Sequence, residues 1–426
     1  MTARQIPMKT SNYKSQRGSI LLVTMIFILA IAAALYGYLA LIQNSNLQVA
    51  RAQTWNAALP VAEAGIDEGM ALLNSTVGID QTNVVGGFNY VLSHDLDDRT
   101  YDGTYDVRFD DFGNLQRFLT ATGFVTAPIT GDLIKRTVKV GVQRQKLFSK
   151  GMVALDFINM NGNSIAADSY NSHDPSQSNN GLWNGYSGTN GDIAAVNGYV
   201  NLGNQTIQGD LYLGPTATYD GSGTVSGTTY TDSNMQYQSA QDPSGSSAWP
   251  SYPITSYLDS ATGKTYSAHN FTNNGSYVVY DSNPIYVQPG VTVNLRIATS
   301  SWSPSSVNIL GGTANSGTLN VWVDSGNITL KGNSSGGASA SQPENFYVWC
   351  LPAVTSVTFS GNSDFVGVIY APDTPLTLNG GGGNVNFIGA VVAKSVTMNG
   401  HYHFHYDTYL QYSYYGVYVV GSWQEF

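Results

Sequence analysis

Three histidines near the carboxyl end have the residue type and the spacing that could bind a metal ion. His401, His403 and His405 alternate along the chain, so on a β-strand their side chains share one face. Imidazole is a ligand for zinc and copper. Same-face neighbours on a strand lie about 6–7 Å apart, so two rings could converge on an ion, whereas three would need strong curvature. We therefore predict no metal here, and expect the rings to pack against Tyr402, Tyr406 and Tyr409.

Catalytic side chains are the second kind of chemistry to consider. Lyases that act on acidic sugars need clustered cations. Beyond residue 150 the sequence has four cations, which are too few to predict such a cluster: Lys264, Arg296, Lys331 and Lys394. A glycosidase needs two carboxylates about 5–9.5 Å apart, and the sequence indicates no such pair. P-loop and His-Glu-x-x-His motifs do not occur. We predict a protein that is not an enzyme and has no cofactor; the alternative is a membrane-anchored carbohydrate-active enzyme on a β-helix scaffold.

The charges of the 426 residues are distributed unevenly. Residues 1–150 hold 14 of the 18 Lys and Arg and 12 of the 28 Asp and Glu, which leaves a net charge of +2 there and −12 in the remainder. A surface with so few cations cannot neutralise phosphates, which argues against nucleic acid as a partner. The single cysteine, Cys350, allows no intrachain disulfide.

The amino-terminal segment is basic and then strongly apolar. Residues 1–18 contain four cations and no acid, and residues 19–42 form a 24-residue stretch without a charge. At about 1.5 Å per residue, a helix of this length crosses a hydrocarbon core of about 30 Å. The basic flank predicts a cytoplasmic amino terminus and export of the rest. Helical periodicity continues to about Leu73, so we predict one long helix over residues 19–75.

These residues resemble the signal segment of type IV pilins and pseudopilins. The basic leader ends at Gly18, the small residue Ser19 follows, and the apolar helix comes next. The resemblance implies cleavage between Gly18 and Ser19 by a prepilin peptidase, and packing of the helix among other pilins or pseudopilins. The Ala62, Glu63, Ala64 and Gly65 stretch resembles the stem motif of PilX-like pilus assembly proteins.

One position departs from the pilin pattern. Most pilins carry glutamate at the fifth mature position, which here is Val23, and residues 19–42 contain no acid at all. A carboxylate in an apolar fibre core needs a partner such as a neighbouring terminal ammonium. In lacking this acid, the chain resembles minor or tip pilins. The alternative is that the segment is a simple signal anchor without a pilus role.

A small sheet is predicted to follow the helix. Runs with strand character occur at residues 104–110, 117–125 and 134–145, separated by turn compositions. We predict an antiparallel sheet module over residues 76–146, which with the helix would form the αβ roll of pilin-like stems.

The remaining two-thirds of the chain repeats short strand units. An apolar, Thr or Asn, apolar, x, Gly unit begins at Ile158, Ile328, Val357, Leu376 and Val396. A second unit at Phe365 returns 22 residues later at Phe387. A repeat of about 20 residues is typical of one coil of a β-solenoid. We predict a solenoid over residues 147–426 with a less regular insertion at 220–275; a β-sandwich is the alternative.

The expected protein is thus mainly β, with a transmembrane pilin-type helix, a small αβ module and a large β-solenoid. The carboxyl-terminal sequence resembles the end of an uncharacterised bacterial solenoid domain that is often fused to PilX-like stems. We expect a non-catalytic minor, tip-type subunit of a type IV pilus or pseudopilus, acting in assembly, surface display or adhesion. The precursor would lie in the inner membrane, with its bulk periplasmic or extracellular. The 28 tyrosines suggest a glycan as a possible surface ligand.

Overall fold

The computed structural model describes residues 17–74, 91–98, 101–110, 117–160, 166–220, 223–233, 235–243, 245–259, 263–331, 342–361, 364–380, 385–400, 402–413 and 415–426. These residues form two compact units. The first comprises residues 1–143 with Tyr418–Phe426, and the second is Arg144–Val417.

The first unit begins with a single long helix, α1, Arg17–Asn74. The helix continues through Pro60 without interruption. Its large apolar residues between Ile20 and Ile42 are exposed, whereas Ala50, Ala58, Ala62 and Ile66 are buried. The helix therefore has two consecutive parts, an apolar half that is exposed and a half that packs on a sheet.

That sheet is antiparallel. Its strands are β1 Val91–Asp98, β2 Tyr101–Asp110, β3 Arg117–Thr126 and β4 Leu133–Lys146. The last three coincide with the runs predicted from alternation; β1 was not predicted. Alternate residues of β2, β3 and β4 face α1 and form one core with Ala62 and Ile66.

A carboxyl-terminal strand completes the sheet and corrects one predicted boundary. The final strand, Tyr415–Glu425, lies beside β4. Thr137 and Phe426 exchange both backbone hydrogen bonds, the pattern of an antiparallel pair. Residues Tyr418–Phe426, which we expected within the solenoid, therefore belong to the first unit. The solenoid is inserted between two adjacent strands of the small sheet.

The second unit is made largely of parallel strands, which is the arrangement of a solenoid and not of a β-sandwich. Its strands β5–β13 are Met152–Met160, Ala166–Tyr170, Ile193–Ala195, Tyr199–Asn201, Thr206–Ile207, Leu211–Leu213, Thr218–Asp220, Thr224–Val225 and Thr229–Tyr230. Strands β14–β20 are Thr255–Asp259, Lys264–Phe271, Gly275–Val279, Ile285–Val287, Thr292–Ile297, Ser301–Trp302 and Val307–Ile309. Strands β21–β25 are Thr318–Lys331, Phe346–Gly361, Phe365–Gly380, Val385–Asn399 and Tyr402–Asp407; the carboxyl-terminal strand of the sheet is β26.

The five copies of the first repeat unit stack on one another in register. Ile328 pairs with Val357, Val357 with Leu376, Leu376 with Val396, and Val396 with Ile158. All five side chains are fully buried. The second unit stacks in the same way, because Phe365 pairs with Phe387 and Phe387 with Phe404.

The order of the coils in the stack differs from their order in the chain. Strand β5, from the first coil, lies between β24 of the last full coil and β7. Strand β25 pairs in the same way with β6. The solenoid is therefore two half-stacks, residues 152–230 and 264–407, joined at a central seam formed by β24 and β25 with β5 and β6.

The insertion predicted at residues 220–275 is smaller than expected. Strands β12 and β13 continue the first half-stack, while β15 and β16 begin the second. The return segment, which we define as residues 235–243 and 245–252, contains one turn of 3₁₀ helix, Ser246–Ala248, and no strand. It links the far end of one half-stack to the far end of the other.

Candidate functional site

The apolar half of α1 is the first candidate site. It is long and apolar enough to cross a membrane by length and composition. Val23, the position at which most pilins carry an acid, is 48% exposed near the amino-terminal end of this surface. Gly18 and Ser19, the expected cleavage position, lie in the first turns of α1. The Ser19 side chain is outside the part of the chain whose side chains the structure describes.

The Ala62–Gly65 motif lies where α1 packs on the sheet. Ala62 is fully buried, and Gly65 is enclosed by Tyr105, Val107 and Ala121. A Cβ atom added at Gly65 would lie only 3.0–3.1 Å from those three side chains. Glu63 and Ala64 are half-buried beside them. In this structure the motif is a packing surface, because small residues let the helix backbone approach the strands.

A hydrogen bond fixes the helix beside this motif. The Tyr105 hydroxyl donates to Glu68 Oε2 at 2.5 Å. Burial, with the Glu68 carboxylate, raises the pKa of Tyr105 to about 12. The hydroxyl therefore remains a donor throughout the physiological range.

The histidines predicted as weak metal candidates lie at the central seam. His401 falls outside the described residues. The His403 and His405 rings are nearly parallel with their centroids 6.3 Å apart, so they share one face as expected. Among the described residues no group of three His, Cys, Asp or Glu side chains is arranged to hold a metal ion.

His405 instead joins a buried hydrogen-bond network across the seam. Its Nδ1 lies 2.5 Å from Asp168 Oδ1 and its Nε2 lies 3.1 Å from Asn386 Oδ1. The Asn386 amide nitrogen donates to Asp364, so its oxygen must accept from His405. The other ring nitrogen faces the Asp168 carboxyl group, so the His405 ring is held from both sides.

An aromatic side chain from a surface loop covers this network. The Trp183 ring stacks on His405 at 3.8 Å between centroids, and its Nε1 donates to Tyr186 O. Of the tyrosines expected around these histidines, Tyr409 stacks on another histidine, His173, at 3.5 Å between centroids. Sequence reasoning missed Asp168 and Trp183, since both are distant in sequence from the histidines they contact.

Two carboxylates approach each other on the solenoid surface, which bears on the enzyme alternative. Asp192 Oδ1 accepts from the backbone nitrogen of Asp210, and Asp210 Oδ1 accepts from that of Thr228. Lys150 lies over the Tyr212 ring, 3.3 Å from its centroid. Burial raises the pKa of Asp192 and lowers that of Lys150. Each carboxylate thus accepts a hydrogen bond from the backbone of the next coil, and this structural role explains its position.

Comparison with known proteins gives two matches. A family described as a domain of unknown function (DUF7305) matches residues 300–412, which include strands β19–β25 of the second half-stack. Among solved structures, the competence-associated pilin ComZ from Thermus thermophilus matches 88% of this chain and 98% of its own, at 13% identity and a TM-score of 0.26. A TM-score of this size does not establish a shared fold. No functionally curated protein matches the chain.

The described elements define a class of protein. It is mainly β, with one long amino-terminal apolar helix, a small antiparallel sheet and a large parallel sheet.

Proposed function

We propose that this protein is a pilin-like subunit, inserted in the cytoplasmic membrane by α1 and then assembled into a type IV pilus or pseudopilus. The observation that carries the proposal is the two-part helix. Its first half exposes an apolar surface around the whole circumference, while its second half packs on an antiparallel sheet. This division suits a stem that keeps its folded part outside while the free half lies in lipid or among other helices.

Exposing the apolar half of α1 to water costs free energy, and this cost indicates that lipid or protein covers it. Each large aliphatic side chain gains about 1.5–3 kcal/mol on full burial. More than a dozen such side chains are exposed between Ile20 and Ile42. Their combined cost, on the order of tens of kcal/mol, means that lipid or other helices must cover them.

The finer role follows from Val23 and from the size of the solenoid. Because no acid stands in residues 19–42, the subunit lacks the carboxylate that most pilins bring into the fibre. A unit of residues 144–417 on each subunit is also large for a close-packed fibre repeat. Both features favour a minor, tip-type subunit that displays the solenoid for assembly or adhesion and does no catalysis.

Mass spectrometry of the mature amino terminus tests the proposal. Cleavage by a prepilin peptidase predicts a chain that begins at Ser19, and Gly18→Glu should block this cleavage. Ser11→Glu, which adds the same charge inside the leader, is the matched control and should be processed normally. A mature chain that keeps Met1 or begins beyond Ile42 would argue for an anchor or a secretory signal. Absence from the filament fraction, with processing intact, would exclude a pilus subunit.

The display role predicts a ligand on the solenoid wall. Tyr212 and Tyr230 stack at 4.9 Å between centroids, and Tyr230 is exposed at the end of its half-stack. Exposed aromatic faces suit the apolar faces of neutral sugars. A glycan array probed with the processed full-length chain should give hits that Tyr230→Ala removes and Tyr280→Ala retains. No hits above background would contradict the glycan, but not the pilin assignment.

A further inference from the structure

The end of the first unit that is nearest the apolar half of α1 carries three exposed aliphatic side chains. Ile129 is 60% exposed, Leu133 64% and Val49 51%. Beyond Ile42, the other large aliphatic residues that are exposed among those the structure describes are Ile254, Leu258 and Val420. Two of these residues, Ile129 and Leu133, belong to the turn between β3 and β4 and the start of β4, and we name these two the membrane-proximal rim.

The packing of α1 shows which way the rim points. Along the helix, Gly69 lies against Leu119, Gly65 against Ala121, and Ala58 and Ala62 against Gly123. Strand β3 therefore runs antiparallel to α1, toward the apolar half. Its last residues lead into a turn closed by the Ala127 N to Asp132 O hydrogen bond. Residues 128–131, including Ile129, form the tip of that turn.

An ion pair fixes the height of the turn along the helix. Arg51 Nη2 lies 2.9 Å from Asp132 Oδ2. Arg51 is nine residues beyond Ile42, or about 13 Å along the axis. The intervening residues 43–48 are polar except for Leu47 and match the headgroup layer. The four-residue tip extends from Asp132 toward the apolar half. Interfacial helices bury their apolar faces about 5–10 Å into the boundary between headgroups and acyl chains. The tip reaches roughly that level.

We infer that the membrane-proximal rim docks on the lipid surface while α1 spans the membrane, with Ile129 and Leu133 at the boundary between headgroups and acyl chains. The inference rests on the proposed membrane insertion of α1. The rim adjoins a net positive charge, because Arg51 and Asp132 are an ion pair and exposed Lys135 follows Leu133 by two residues. Aliphatic residues beside cations match the chemistry of an anionic bilayer surface. Docking holds the sheet against the membrane, and assembly into a fibre must release it.

Site-specific fluorescence in vesicles tests the inference. The full chain carries Ile129→Cys, Leu29→Cys or Ala71→Cys, labelled with a fluorophore and reconstituted in phosphatidylcholine and phosphatidylglycerol vesicles. Cys350 is buried and burial raises the pKa of its thiol, so labelling is selective for the introduced cysteine. The quencher is a nitroxide near the carbonyl end of the acyl chains. Ala71 is an exposed position on α1 in the half packed on the sheet, and serves as the aqueous control.

The expected result is lipid quenching at Ile129 that exceeds quenching at Ala71 severalfold. A Leu133→Cys chain should repeat it, which guards against a local effect of one substitution. If Leu29 is quenched but Ile129 matches Ala71, docking is wrong and membrane insertion stands. If Leu29 is not quenched, the proposed membrane insertion itself fails. Shielding of Ile129 from water-soluble quenchers without lipid quenching would show a protein neighbour on the rim and would overturn the inference.

Discussion

At the scale of single residues, Gly65 sets the distance between α1 and the sheet. Valine there would force two further methyl groups toward Tyr105, Val107 and Ala121, which already lie 3.0–3.1 Å from a built Cβ atom. We expect Gly65→Val to cost about 1–3 kcal/mol of stability through overpacking. Hydrogen exchange of the β3 amides in denaturant should show the loss. Ala71→Val, at an exposed position of the same helix, should leave β3 protection unchanged; equal effects would contradict the packing role.

Asp407 makes the stability of the seam depend on pH. The side chain is fully buried and accepts from the backbone nitrogens of Ser172 and Tyr409. Burial raises its pKa to about 6, from the usual 3.8. A carboxyl group with a raised pKa binds a proton more tightly in the folded state, so the free energy of unfolding should rise as pH falls from 7 toward 4.

Asp407→Asn removes this titration and keeps an oxygen for the two backbone donors. In the unaltered chain, the free energy of unfolding of the second unit should rise by about 2–3 kcal/mol between pH 7 and pH 4. In Asp407→Asn we expect this rise to be absent. Urea unfolding at several pH values measures it. Asp407→Ala should also flatten the slope and destabilise at every pH. An unchanged slope in Asp407→Asn would mean that another group titrates.

At the scale of elements, alternation predicted strands β2, β3 and β4 of the sheet, and repeat spacing predicted the stacked ladder of the solenoid. The alternation of His403 and His405 also predicted their shared face. Neither pattern could predict that Val396 pairs with Ile158, because similar repeat units present the same apolar pattern to any neighbour. The partner of His405, Asp168, is 237 residues away in sequence, and no local pattern connects them. Strand β26 was missed since its role depends on an edge formed by β4.

The return segment is held by apolar packing, which buries Ala240, and by polar contacts with the second half-stack. Arg296 Nε lies 2.8 Å from Asp324 Oδ1, and Nη1 lies 3.7 Å from Asp242 Oδ2 in the segment. The Tyr370 hydroxyl donates to Gln238 O at 2.6 Å. We expect Arg296→Gln to speed hydrogen exchange severalfold at residues 235–252, with β22–β24 unaffected. Lys394→Gln removes the same charge from an exposed position on β24 and should not change exchange in the segment.

At the scale of the whole molecule, the seam explains how a solenoid can be inserted into a sheet. A simple solenoid begins at one end of its stack and finishes at the other, whereas here the first and last coils are neighbours. Strand β4 leads directly into β5, and β25 is followed by β26. The chain can therefore leave the small sheet and return to it at adjacent strands, with the return segment linking the two free ends of the stack.

The seam should also decide whether the two half-stacks unfold together. His405→Ala removes the contacts with Asp168, Asn386 and Trp183 and leaves a buried carboxyl group without its partner. Leaving a buried polar group without its hydrogen-bond partner costs about 1–3 kcal/mol. We expect hydrogen exchange to show residues 152–230 losing protection before residues 264–407, whereas both lose it together in the unaltered chain. His403→Ala is the control on the same strand and face, at a half-buried position, and should preserve joint unfolding. If both variants unfold as one unit, parallel pairing of β24 with β5 couples the half-stacks without help from the His405 network.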